Sequence, residues 1–167
     1  MGINNIRLSP SLLAALYPDS LVLEKIQENQ FPAPTVYRYL GNHLRKISFL
    51  VHYSDAVFLP DDQLEFLGRM LSPCHLGIAD VSVLNTAGNP VEILELSRQL
   101  RPETLFICGI DPASLGIRDQ LKPFTVTTLL GISMLLLPSL NRINQETTEA
   151  RQYKKQLWLC LQKLFSL

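Results

Sequence analysis

The side chains in this sequence that could do chemistry are few and lie far apart along the chain. The three histidines, His43, His52 and His75, have no serine, cysteine or carboxylate at a spacing typical of a catalytic motif. His52 stands out because it follows an apolar run that predicts a strand, and strand ends are where active sites collect in α/β sheets. His52, Asp55 and Asn85, which all lie near the ends of predicted strands, are therefore the candidate catalytic residues. The alternative is a loop that leaves the sheet here, with Ser54 or Asp55 bonded to the local backbone.

The sequence carries no signature of a cofactor or metal site. The patterns H-E-x-x-H, G-x-S-x-G, G-x-G-x-x-G and the P-loop are all missing. The turn at residues 108–111 is superficially like a phosphate-binding turn, but it has one glycine, and the Asp111 carboxylate would itself occupy the positive helix end. We predict instead that Asp111 is the N-cap of a helix with Pro112 at its first position. The sequence thus predicts neither a cofactor nor a metal ion.

The cysteines indicate a reducing environment. Cys74, Cys108 and Cys160 are odd in number and widely spaced, so they form neither a disulfide framework nor a zinc pattern. Each has apolar neighbours, which predicts three buried free thiols and fits a reducing cytoplasm. Residues 1–13 lack the long apolar stretch of a secretory signal, and the longest apolar run, at 132–138, is too short to cross a bilayer. We therefore expect a cytoplasmic protein with no membrane association.

The charge balance argues against a nucleic-acid-binding role. The chain has 15 Lys and Arg residues and 15 Asp and Glu residues, so its formal net charge is zero. A neutral chain has no global field that draws it to nucleic acid, so direct binding is predicted to be weak or absent. Basic residues do line one side of the predicted C-terminal helix: Arg151, Lys154, Lys155 and Lys163. They fit either a solvated face opposite a core-facing apolar stripe or a weak phosphate contact.

Apolar periodicity predicts strands that alternate with helices from residue 47 onward. Strands are predicted at 47–53, 80–85, 103–108, 124–129 and 132–137, with a further short strand at 35–40. Helices are predicted at 61–71, after Asn89 as an N-cap, and at 147–165. This alternation is typical of a three-layer α/β/α domain with a mainly parallel central sheet. With 167 residues, 47% of them hydrophobic, the chain fits one such domain, which we assign to residues 35–167.

Residues 1–34 are less regular and are predicted to form an N-terminal extension with one short helix. Ser9 and Pro10 suit its N-cap and first position, and Pro18 ends it. The apolar residues of this extension are the predicted partner surface: Leu12, Leu13, Leu16, Tyr17, Leu21 and Val22. An apolar patch beyond what a monomer needs is typical of a protein-binding surface.

From residue 61 on, the order of segments resembles the uracil-DNA glycosylase superfamily. The segments that carry the resemblance are QLEFLGRML, IADVSVLN, LRPETLFICGIDPASLG, LLLPSLNR and KKQLWLCLQKLF. The resemblance implies a glycosylase-like fold, but the catalytic parts of the family do not carry over. Where the family has a glycine- and proline-rich loop with a water-positioning acid, this chain has YSDAVFLPDD, and the family's late histidine falls on Leu137. A glycosylase must flip a base and stabilise the departing base anion, which leucine cannot do.

The chain also resembles a family with much this arrangement and no enzyme activity of its own, the psi subunits of bacterial DNA polymerase III. The segments that carry this resemblance are LLAALYPDSLV, RKISFLVHYSDAVFLPDDQLEFLGRMLSPCHLGIADVSVLN, and PSLNRINQ followed by KKQLW, with marker positions Asn85, Pro138, Ser139, Leu157 and Trp158. The resemblance implies a bridging subunit whose N-terminal peptide contacts the clamp loader and whose folded body binds a chi-like subunit. In psi-like proteins that peptide is longer and more basic, whereas here Arg7 is the only charged side chain in residues 1–8.

Three hypotheses about function follow. The first is a non-catalytic, psi-like binding module in DNA replication. The second is a divergent glycosylase-like nucleobase hydrolase that uses His52, Asp55 or Asn85. The third is a homo-oligomeric scaffold whose apolar surface pairs with itself.

Overall fold

The computed structural model of this chain describes residues 36–167. The predicted short helix that begins at Ser9 and Pro10 lies outside the described residues. So does the predicted partner surface formed by Leu12, Leu13, Leu16, Tyr17, Leu21 and Val22.

The described residues form an α/β domain. Its strands are β1 (Ile47–Val51), β2 (Val81–Asn85), β3 (Thr104–Cys108), β4 (Val126–Leu129) and β5 (Ile132–Leu137). The α-helices found in residues 36–167 are α1 (Asp61–Leu71), α2 (Ile93–Gln99), α3 (Leu140–Ile143) and α4 (Thr148–Phe165). Short 3-10 helices span Ser72–Cys74, Ile78–Asp80 and Pro112–Leu115. Over this part of the chain, no helix combines the length and the apolar character needed to cross a bilayer.

The five strands form one mainly parallel sheet in the order β2-β1-β3-β5-β4. β1 runs parallel to β2 and β3, and β3 runs parallel to β5, while β4 pairs with β5 in the antiparallel direction. The carboxyl ends of the four parallel strands therefore meet at one edge of the sheet. This is the edge at which α/β proteins place their ligands.

Alternation along the strands divides the core into two layers, one on each face of the sheet. Phe49 and Phe106 point to one face, where their rings stack with centroids 4.4 Å apart under residues of α1, α3 and α4. Leu50 and Ile107, their neighbours in sequence, point to the other face and pack against residues of α2. Helices thus cover both faces, which is compatible with the predicted three-layer α/β/α arrangement and explains why β1 and β2 are buried along their whole length.

Several local predictions are confirmed. Helix α1 spans the predicted residues 61–71, and β5 spans the predicted residues 132–137. Asp111 caps the turn of helix that starts at Pro112, since its carboxylate accepts from the Ala113 amide, although the helix is a 3-10 helix of one turn. The helix predicted at 147–165 is α4, which spans Thr148–Phe165. All three cysteines are buried free thiols.

Several predicted boundaries are wrong, including the start of β4, which lies at Val126 and not at residue 124. The strand expected at 35–40 is reduced, among the described residues, to a single antiparallel bridge from Leu40 to Val83 on the free edge of β2, after which Gly41, with a φ of +99°, turns the chain. β1 ends at Val51 and not at residue 53, since the Tyr53 amide donates to a side chain and not to a neighbouring strand. Asn89 is not a helix cap: α2 begins at Ile93 after an extended segment that buries Val91 in the core.

Candidate functional site

Asn85, at the carboxyl end of β2, is bonded entirely to backbone groups. Its Oδ1 accepts from the amides of Tyr53 at 2.9 Å and Ala87 at 3.1 Å. Its Nδ2 donates to the carbonyl oxygens of Tyr53 at 2.7 Å and Ala56 at 2.8 Å, with a longer contact of 3.4 Å to Val57. The residue is only 6% exposed. Its donors and acceptors are all used to hold the loop between β1 and α1, so Asn85 has none left for a substrate.

Tyr53 covers the same edge on the α1 side of the sheet. Its hydroxyl donates to Oδ1 of Asn141 at 3.5 Å. Burial, with the nearby Cys108 thiol as a smaller cause, raises the pKa of Tyr53 to about 12. Burial also raises the pKa of Cys108 to about 12. A general acid or base works best with a pKa near the operating pH, so both groups stay protonated and unreactive at neutral pH.

The ends of β3 and β5 approach each other too closely to leave a cleft between them. Gly109 has a φ of +67°, and a Cβ built on it would lie 2.7 Å from Cβ of Ser139. Only glycine fits at that distance and in that backbone region. Leu137, where the glycosylase resemblance would require a histidine, is 2% exposed and packs in the core under α1 and α4. On this face the sheet edge is therefore filled by packed side chains and backbone.

His52 lies on the opposite face of the sheet from Asn85. It lines a pocket of about 330 Å³ together with Val91 and Leu115, which belong to the core layer under α2. Thr86 donates its hydroxyl proton to the Val51 carbonyl oxygen at 3.1 Å, so its oxygen is left to accept from Nδ1 of His52 at 3.0 Å. This pattern assigns the proton of the neutral ring to Nδ1 and leaves Nε2 as an acceptor on an exposed side chain.

The other polar groups of this pocket are already committed to local structure. The Asp111 carboxylate caps the following 3-10 helix, and the Ser114 hydroxyl donates to the Asp111 carbonyl oxygen at 2.6 Å. Asp111 lies across the pocket from His52, at the end of β3. The pocket can hold a small polar molecule, and Nε2 of His52 is available there to accept a hydrogen bond from it.

Asp55 is exposed in the loop after β1, where it accepts from the Ser54 hydroxyl at 3.4 Å. It does not line the pocket that contains His52, and the bonds of Asn85 go to the backbone of the loop. The structure therefore places the three sequence candidates at one edge of the sheet but does not bring them together. Alternation decides this, since His52 and Asn85 leave their strands on opposite faces.

A serine and histidine pair that the sequence analysis missed lies at the opposite edge of the sheet. Nε2 of His43 donates to the Leu100 carbonyl oxygen at 3.0 Å, and Nδ1 lies 3.0 Å from the hydroxyl of Ser82, which in turn lies 2.8 Å from the hydroxyl of Ser48. Both serines are fully buried, so neither can reach a substrate. The network joins β1, β2 and the segment after α2. In the sequence, its only visible sign was a serine at the second position of each of these two strands.

The remaining candidate features are helix α4 and metal-binding clusters. The apolar stripe of α4 packs into the core through Leu157, Cys160 and Leu161, as predicted, while Arg151 and Lys155 are exposed on its other side. Over residues 36–167 no three His, Cys, Asp or Glu side chains converge as a metal site would require. No protein-family model matches the chain, and no curated protein sequence is significantly similar to it.

Proposed function

We propose that this chain is a non-catalytic, protein-binding subunit with a uracil-DNA glycosylase-like fold, similar to the psi subunit, that bridges partners in a replication clamp-loader assembly of the cytoplasm. The observation that carries the proposal is the use of the strand-end edge for structure. Asn85 spends its hydrogen bonds on the backbone of the loop between β1 and α1, and Leu137 is buried in the core. An edge that is filled in this way on the face under α1 and α4 suits a fold that is kept for its outer surfaces.

The placement of the segments that carry the resemblance also supports the proposal. IADVSVLN contains β2 and the 3-10 helix before it, LLLPSLNR runs from the end of β5 into α3, and KKQLWLCLQKLF lies within α4. These three segments therefore correspond to elements of the described domain. This agreement concerns the order of elements, and the partners themselves are inferred from the resemblance.

Affinity capture with the full-length protein tests the proposal. We expect capture from a lysate of the source organism, followed by mass spectrometry, to recover clamp-loader and chi-like subunits. The double variant Leu13→Asp and Leu16→Asp should lose the clamp-loader subunits and keep the chi-like one, whereas Ser20→Ala in the same segment should lose neither. Recovery of no replication protein by the wild-type chain would contradict the proposal.

A divergent nucleobase hydrolase is the second candidate, and the pocket that contains His52 favours it. His52 and Asp111 face the same space of about 330 Å³ at the edge where α/β enzymes place substrates. Incubation with uracil-containing single- and double-stranded oligonucleotides distinguishes the two functions. A binding subunit should produce no abasic sites, while a hydrolase should produce them and lose this activity on His52→Ala.

A further inference from the structure

A groove of about 340 Å³ lies between α1 and α4, away from the strand-end edge. Phe66, Leu157 and Leu161 are buried in its floor. Half-buried Met70 and Trp158 form its sides, one from each helix. Aromatic and methionine side chains that remain partly exposed in a concave apolar site are typical of the centre of a protein-binding surface.

The charged residues that line this groove are both basic. The Lys154 ammonium lies 5.9 Å from the centre of the Phe66 ring and donates to the Gln145 carbonyl oxygen at 3.4 Å, so it has no carboxylate partner among the described residues. Arg69 lies 3.6 Å from a Glu65 carboxylate, but the two side chains are 68% and 72% exposed. A pair as exposed as this contributes little free energy and can exchange for a better partner.

Other basic residues of α4 lie outside the groove: Lys163 lines a different pocket with Phe124, and Lys155 is exposed on the helix surface. The positive charge that a ligand in the groove would meet is therefore that of Arg69 and Lys154. It is complementary to an acidic ligand and repels a basic one.

We propose that this groove binds an acidic amphipathic helix of a partner protein. The walls from Phe66 to Pro73 and from Lys154 to Leu161 each extend about 10 Å, which is the length of two turns of a guest helix. Apolar side chains of the guest insert between Met70 and Trp158, and its carboxylates pair with Arg69 and Lys154. The proposal rests on the groove alone and does not require the partner to be a replication protein.

Fluorescence titration tests the proposal, because Trp158 is the only tryptophan of the chain. The probe is a synthetic amphipathic helical peptide with leucine and phenylalanine on one face and glutamate on the other, also labelled for fluorescence anisotropy. We expect a saturable change in Trp158 emission and a matching rise in anisotropy with the full-length protein. A peptide with the same apolar face and lysine in place of glutamate should not bind.

Charge reversal in the groove, with a matched control outside it, locates the binding site. Arg69→Glu combined with Lys154→Glu should weaken binding about tenfold, since two favourable contacts become repulsive. Lys155→Glu makes the same charge change at the neighbouring position of α4, outside the groove, and should weaken it less than about twofold. All the altered side chains are exposed, so circular dichroism and thermal melting should match the wild type.

Four results would overturn the proposal. One is no change in either signal at millimolar peptide, and another is equal weakening by Lys155→Glu and by the double variant. A third is displacement of the peptide by oligothymidylate or by phosphatidylglycerol vesicles, which would assign the groove to nucleic acid or to lipid. The fourth is a dimer in light scattering that the double variant abolishes, which would assign the groove to a second copy of the chain.

Discussion

Replacement of Asn85 distinguishes a structural role at the strand-end edge from a catalytic one. The side chain makes four hydrogen bonds of 3.1 Å or less to backbone groups of residues 53, 56 and 87. Each such bond contributes about 1 kcal/mol net, and partial rehydration of the loop recovers some of it. We therefore expect Asn85→Ala to lower the free energy of unfolding by about 2–4 kcal/mol.

Asn85→Asp should show the same role through its pH dependence. The new carboxylate keeps an acceptor for the Tyr53 and Ala87 amides. Its second oxygen replaces Nδ2 of Asn85, which lies 2.7 and 2.8 Å from the carbonyl oxygens of Tyr53 and Ala56, so a negative oxygen would face these two carbonyls. Burial and these carbonyls raise the folded-state pKa of the new carboxyl group above its unfolded value of about 3.9. The stabilising, protonated form is then present below that value and is lost as the pH rises through the folded pKa.

Urea denaturation followed by Trp158 fluorescence at pH 4.5 and at pH 7.5 measures both variants, with the wild type at each pH as reference. Relative to the wild type, Asn85→Asp should be more destabilised at the higher pH. Thr86→Ala serves as the neighbouring control and should cost about 0.5–1.5 kcal/mol, because it removes one hydroxyl. A loss below about 0.5 kcal/mol for Asn85→Ala, or a larger deficit of Asn85→Asp at pH 4.5, would refute the structural role.

Three further predictions concern the backbone and the buried thiol. Gly109→Ala should destabilise the fold by about 2–3 kcal/mol or more in thermal melting, because its Cβ would lie 2.7 Å from Cβ of Ser139. Gly88 has open space around it, so the control Gly88→Ala should change stability by less than about 0.5 kcal/mol. Leu130 has a φ of +53° at the tip of the β4–β5 hairpin and is 59% exposed. Asparagine adopts a positive φ more readily than leucine, so Leu130→Asn should raise the free energy of unfolding by about 0.5–1 kcal/mol. No gain would mean that Leu130 makes an unseen favourable contact. Burial raises the pKa of Cys108 from 9.0 to about 12, so its thiol stabilises the fold fully below pH 9 and less as the pH rises towards 12, by about 1.4 kcal/mol for each pH unit. Between pH 9 and pH 12 the free energy of unfolding, measured by denaturation, should fall less with pH for Cys108→Ala than for the wild type. An identical pH dependence of the two proteins would count against this account.

The sequence determined most of what depends on neighbouring residues. The apolar residues of α1 recur at helical spacing and face one core layer, so its bounds were predictable. The Asp111 cap was readable for the same reason, since its carboxylate bonds an amide two residues away. The run at 104–108 is almost wholly apolar, which indicated a strand buried on both faces.

Only the tertiary structure decided what the polar residues at the strand ends do. Asn85 looked available for catalysis because all its bonding partners except the Ala87 amide lie about 30 positions earlier in the chain, and no local pattern shows them. His52 and Asn85 end neighbouring strands, yet the register of β1 with β2 sends them to opposite faces of the sheet. The groove between α1 and α4 likewise exists only after two helices that are separated by four strands pack on the same face. Local hydrogen bonds and periodicity are written in short stretches of sequence, whereas the convergence of side chains is set by the register and packing of distant elements.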